Sequence, residues 1–363
     1  MVGRRFLGAA AALAAAGALL WQSQAVASGV RAGLEACVAV VIPSLFPFMI
    51  LAGLCSSTPA GQALSNGIWR LFRWALPLPR QLGAVFLMSF LGGFPVGARM
   101  LSDLVAQKRI DPKTASRALC FCVNAGPSFL ISAVGGQMLG SLPAGLALLA
   151  AQICSALVIA RVTLRRQRQE PNLPAFSYPP FATAFVESVR SACAGILSIC
   201  AFVVAFSAFA ALLQATGIFH FLAATVGGCT GWDQAFVSAL FTGILEVTAG
   251  CLKACALGGQ RGFLLCAFLV SSASLSIFFQ VRSCFPAKTP VRFGPLAISR
   301  LAHGALTTGF ALLFSRLLPP AALAAGSFSS VPVPKTAPHT AAITLCLMGM
   351  CTILVLFPSR RSG

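Results

Sequence analysis

The stretch LMSFLGGFPVGARMLSDL, residues 87–104, restricts what this chain can fold into more than any other. Its flanks are apolar enough for the interior of a bilayer. Its middle carries Gly92, Gly93, Pro95 and Gly97, residues that oppose a continuous helix. Backbone groups freed at such a break are tolerated at membrane depth only where protein or a water-filled cavity satisfies them. The stretch therefore predicts a broken helix enclosed within a membrane protein. Composition supports the membrane: 58% of the residues are hydrophobic and only 9% charged, against about 25% charged in a soluble domain. Mean hydropathy is +0.88. A chain of 363 residues has room for roughly eight to ten crossings of about 20 residues each.

The net charge of +19 does not indicate a nucleic-acid partner, because the basic residues form no single patch interleaved with aromatics. Nineteen of the 26 fall in groups between apolar runs: Arg4 and Arg5; Arg70, Arg73 and Arg80; Lys108, Arg109, Lys113 and Arg117; Arg161, Arg165, Arg166 and Arg168; Arg282, Lys288, Arg292 and Arg300; Arg360 and Arg361. Positive-inside asymmetry places these groups in the cytoplasm. The fourteen cysteines are scattered through apolar runs without a C-x-x-C pair and read as small hydrophobes. No metal site or cofactor is expected, since no histidine joins the cysteines at ligand spacing.

A cytoplasmic position for every basic group fixes the order of crossings. Residues 1–28 form a retained signal-anchor helix or a signal peptide, the helix being favoured, and 31–55 run inward past Pro43 and Pro47. Residues 56–80 stay inside, where IWRLFRWAL suits a helix lying in the interface. Arg80 and Lys108 are too close for two full crossings, so 81–107 enter and return on one side as a re-entrant hairpin. An outward crossing broken at 124–127 follows, then a return through 143–160 and a basic, proline-containing linker over 161–182. Residues 183–213 cross outward, 214–232 remain outside, and 233–257, containing GILEVTAG, form a second hairpin from the opposite face. Residues 261–281, 294–317 and 339–358 complete the set.

The expected fold is thus all-α and polytopic, with eight transmembrane helices, two re-entrant hairpins and both termini cytoplasmic. The halves repeat the same order, Gly93 and Gly243 heading hairpin tips and Asn124-Ala125-Gly126 answering Ser272-Ala273-Ser274. Opposite entry sides make this an inverted repeat, an architecture of secondary transporters that bind substrate near the midplane between broken helices.

At VIPSLFPFMI, LGGFPVGARMLSDL, FCVNAGPSFLISAVGGQMLGS and GILEVTAG the chain resembles the YlbJ (SpoVV) family of sporulation integral membrane proteins, within the wider nucleoside-recognition, or Gate-domain, group. The resemblance runs from about residue 30 to about residue 320 and makes 31–160 and 183–318 two Gate-like repeats, with 319–363 an outside loop and a C-terminal helix. It implies a bacterial mother-cell or forespore membrane, and movement of a small anion, dipicolinic acid, during endospore formation. A nucleoside-like or other small-solute carrier is the alternative, and a sporulation scaffold that transports nothing is a third reading.

Glu246 is the acidic residue most deeply embedded in this arrangement, a candidate for substrate contact or for coupling to a proton or sodium ion. The competing reading is a carboxylate bonded to freed backbone N–H groups. Arg99, one or two turns past the first tip, is the candidate cation for a dianion, with lower odds for Lys253. Gly93 and Pro95 at the tip, and Asn124, Ser128, Ser272 and Ser274 at the helix breaks, complete the substrate-binding set, with Ser271 and Gln280 of the same kind. No Ser-His-Asp order, P-loop or H-E-x-x-H motif occurs, so no enzymatic activity is expected.

Overall fold

A computed structural model describes residues 16–164 and 177–319. Residues 1–15, most of the expected basic linker, and the outside loop and last helix expected beyond 319 lie outside the described residues.

Among the described residues all regular structure is helical. Helix α1 (Ser23–Ala36) passes through a π turn (Cys37–Val41) into α2 (Ile42–Ser57). The change of element expected at residue 28 is therefore absent. Gly29 and Gly33, four residues apart, explain the continuity: they bring α1 so close to a later helix that a Cβ on Gly33 would lie 2.8 Å from Val204 Cα. The π turn sits just before Pro43, whose ring nitrogen cannot donate a helix bond, so the wider turn absorbs the defect without ending the helix.

Helix α3 (Pro59–Phe72) starts at Thr58, whose hydroxyl accepts from Gly61 N at 3.3 Å. At its far end the Arg73 guanidinium lies 4.9 Å from the ring of Trp74, a residue 86% exposed. This is the side-chain mixture of a helix at a membrane interface. Helices α4 (Gly83–Leu91) and α5 (Phe94–Ala106) follow, separated by Gly92 and Gly93. Gly93 has φ +82 and ψ −178, a backbone open only to glycine, and there the chain doubles back. Helix α6 (Pro112–Ala118) is capped by Asp111; residues 119–122 form a hydrogen-bonded turn, and 123–126 are then unwound up to a π-helix at Ser128–Met138. Helix α7 (Leu142–Leu164) closes the first half.

The second half has the same order. Long α8 (Phe181–Ala215) is followed by short α9 (Ile218–Thr230), bracketed by left-handed Gly217 and Gly231 where an outside stretch was expected. Next come the paired helices α10 (Gln234–Leu245) and α11 (Val247–Ala256), then α12 (Gly259–Ser272) and α13 (Leu275–Ser283), parted at Ala273 and Ser274, and finally α14 (Gly294–Ser315). The α1–α2 run packs along α8, and α7 packs along α14, so equivalent elements of the two halves face each other. The core between them holds the hairpins and broken helices, with Leu82, Phe121, Phe263 and Leu269 fully buried.

Among the described residues, four segments are long and apolar enough to cross a membrane: Leu142–Leu164, Phe181–Ala215, Gly259–Ser283 and Gly294–Ser315. The protein is a helical protein with apolar helices of membrane-spanning length.

The second tip is not where glycine suggested. Gly243 lies inside α10, and the break falls at Glu246, whose backbone is extended. Gly243 instead permits contact across the hairpin: a Cβ on Gly250 would sit 2.1 Å from Gly243 Cα. Backbone cannot yield as a side chain does, so Gly250→Val is expected to destabilise the folded protein by at least the ~1–3 kcal/mol typical of overpacking. Thermal unfolding in detergent checks this, and an unchanged transition would show that the hairpin is not closed at Gly243.

Candidate functional site

Both hairpin tips open onto one cavity of about 680 Å³, mouth included. Gly92 to Pro95 line it from the first tip and Glu246 to Thr248 from the second, while Gly126 and Ser128 come from the first helix break. Gln280 of α13 adds an amide, and Leu45, Ile199 and Val203 supply apolar wall.

The polar chemistry of this cavity is asymmetric. On one side, α5 and the π-helix begin at Gly93 and Pro127 with no side-chain cap on their first N–H groups. Such ends carry partial positive charge and favour anionic or acceptor groups. The first tip and the unwound segment touch backbone to backbone there, a Cβ on Gly126 falling 3.3 Å from Gly93 N. On the other side stands the Glu246 carboxylate, 6% exposed, which accepts from Thr248 N at 3.0 Å and from Ala249 N at 2.7 Å. It is both the N-cap of α11 and a wall of the cavity, so the structural and functional readings of this residue coexist. No Lys or Arg is among the described residues lining the cavity.

Of the residues singled out in the sequence, Gly93, Pro95, Ser128 and Glu246 meet here, together with Gln280. Ser274 is 1% exposed and caps α13 through Ile277 N at 3.3 Å, and Ser272 bonds to the Leu269 carbonyl of its own helix. Asn124 is fully buried behind the cavity, donating to Ser89 Oγ at 3.1 Å and to the Phe121 carbonyl at 2.9 Å. Arg99 lies one turn below the tip, beyond the cavity, donating to Ser191 Oγ and pairing with Asp103 at 3.6 Å. Lys253 is turned away, toward Ser238 Oγ at 3.4 Å and the ring of Phe219.

The groups that hold the unwound segment open are ones the sequence reading passed over. Gln152 of α7 clasps Ala125, accepting from its N–H at 3.0 Å and donating to its carbonyl at 2.9 Å. Arg300 of α14, 3% exposed, donates to the carbonyls of Cys120 and Val123. The chain lacks regular structure at 123–126, close to the expected 124–127, and these side chains replace the missing helix bonds. Arg300 had been counted as a cytoplasmic marker, and Arg109 likewise; Arg109 is 8% exposed and bonds to the Ser56 carbonyl at 2.7 Å. A signal for the first was present: Arg300, His303 and Thr307 share one helix face and all three are buried, His303 and Thr307 against α7, where Thr307 meets Ser155 at 2.7 Å.

No cluster of three or more His, Cys, Asp or Glu able to hold a metal ion occurs among the described residues. No family model, curated protein or solved structure matches the chain.

Proposed function

We propose that this chain is a membrane carrier of a small solute, working by alternating access around two hairpins that re-enter the bilayer from opposite faces in an inverted repeat. The observation that carries this reading is the single cavity bounded by both hairpin tips and the first helix break. A bundle that only scaffolds other proteins gains nothing from two interrupted helices meeting at one shared hollow, whereas a carrier uses such a hollow, with its few polar groups, to replace the solvation a solute leaves behind.

The resemblance to sporulation membrane proteins makes dipicolinate in a bacterial mother-cell or forespore membrane the first solute to test. The uncapped helix ends suit one of its carboxylates. The second would face Glu246, so entry of the dianion requires a proton or sodium ion at that carboxylate. A specific observation favours the alternative of a neutral solute of nucleoside-like polarity: among the described residues the wall is mostly apolar, with one carboxylate, one amide and no Lys or Arg.

Purified protein in proteoliposomes is expected to take up labelled dipicolinate or a nucleoside against empty-vesicle controls. Uptake of neither solute, with protein correctly folded, would sink both readings of the substrate. For topology, cysteines at Arg80 and Lys108 are expected to be labelled from one face, and cysteines at Trp232 and Gln260 from the other. Labelling of either pair from opposite faces would refute that hairpin, because its segment would then cross the membrane once.

A further inference from the structure

A second, more polar cleft of about 1140 Å³, mouth included, lies between α2, α5 and the first turns of α8, lined by Ser56, Arg99, Asp103, Glu187, Arg190 and Ser191 among others. Two helices run from the cavity to this cleft. On α5, Pro95 lines the cavity, and Arg99, Asp103 and Gln107 line the cleft at successive four-residue steps. Four-residue steps keep these side chains on one helix face. On α8, Ile199 and Val203 line the cavity, and Ser191 and Glu187 the cleft.

The two hollows also share a neighbour. Cys284 Sγ lies 3.8 Å from the Pro95 carbonyl and 3.4 Å from the Gln280 carbonyl, both residues of the cavity wall. The same thiol feels the charges of Arg99 and Asp103 in the cleft. In the cleft wall, the Arg99 side chain reaches from hairpin helix α5 to Ser191 on α8.

We infer that cavity and cleft are the two ends of one solute path along the facing sides of α5 and α8, and that Arg99 is its gate, closed by the bond to Ser191 and the ion pair with Asp103. The inference rests on the carrier reading above and names how that cavity opens. A guanidinium bonded to a neutral hydroxyl suits a gate. One hydrogen bond crosses from the hairpin to the long helix, and its loss leaves the arginine still paired with Asp103 on its own helix. A solute carboxylate entering the cleft competes for the same fork of donors.

The test uses the full chain in vesicles with Cys284 as its sole cysteine and a charged methanethiosulfonate reagent added on the side where the cleft opens. Modification of Cys284 is expected to be slow with Arg99 and Ser191 intact. Ser191→Ala is expected to speed it by about tenfold, the effect of losing one charge-assisted hydrogen bond. Ser191→Thr, which keeps the hydroxyl, is expected to restore the slow rate, and Ser188→Ala, one turn away, to leave it slow. Equal rates in Ser191→Ala and the parent would overturn the gate, as would acceleration by Ser188→Ala to the same extent. The readout needs no substrate. A path that unlocks without any uptake would remove the carrier reading alone, and uptake with an unresponsive Cys284 would remove the gate alone.

Discussion

Glutamine in place of Glu246 is expected to abolish the pH or sodium dependence of uptake while the protein stays folded in the membrane. The carboxylate accepts from two backbone N–H groups at the start of α11 and simultaneously faces the cavity. Glutamine keeps a carbonyl oxygen for the cap and the shape of the wall, but it can neither take a proton nor offer a full charge to a cation. Alanine removes the cap as well, so Glu246→Ala is expected to lose a further ~1–2 kcal/mol of stability, the usual worth of a helix N-cap. The pair of variants separates the two roles: function lost in both with stability lost only in alanine places ion handling on the carboxylate. Uptake by Glu246→Gln that remains wild-type in rate and ion dependence would confine Glu246 to the cap.

Where local chemistry makes a break, the break was legible. Gly92, Gly93 and Pro95 cannot continue a helix in sequence or in space, and Ser272-Ala273-Ser274 part α12 from α13 where small polar residues predicted it. The second tip was misplaced by three residues because a glycine was read as the breaker. There the carboxylate of Glu246, by capping the next helix, sets the boundary, and the glycine serves close packing. Arg99 was read as a cavity residue because it follows the tip closely. One helical turn instead carries it from the cavity to the cleft. Gln152 and Arg300 were not legible as partners of residues 120–125, since their partners are main-chain groups 27 to 180 positions away. Backbone carbonyls leave no compositional trace, so only a spatial arrangement reveals which side chain serves them.

Arg300 therefore carries the second large prediction. Its guanidinium is buried, with no carboxylate bonded to it among the described residues, and its charge is met by the carbonyls of Cys120 and Val123, two oxygens that an unbroken helix would have occupied. The dependence runs both ways: the buried unwound segment needs donors, and the buried arginine needs acceptors. Arg300→Met fills the volume but strands both carbonyls, and each buried acceptor left unsatisfied costs about 1–3 kcal/mol. Arg300→Lys keeps the charge but replaces a planar fork, which reaches both carbonyls at once, with a single ammonium on a shorter span, so an intermediate loss is expected. The loss should show as reduced membrane abundance and a lowered unfolding temperature in detergent, in the order Met below Lys below wild type. Gln152→Leu removes the neighbouring clasp on Ala125, and because the two side chains hold one segment, the double variant is expected to lose less than the sum of the single losses. Wild-type stability in Arg300→Met would mean that residues 123–126 can rewind and satisfy themselves, and the cavity wall at Gly126 would then have to be mobile.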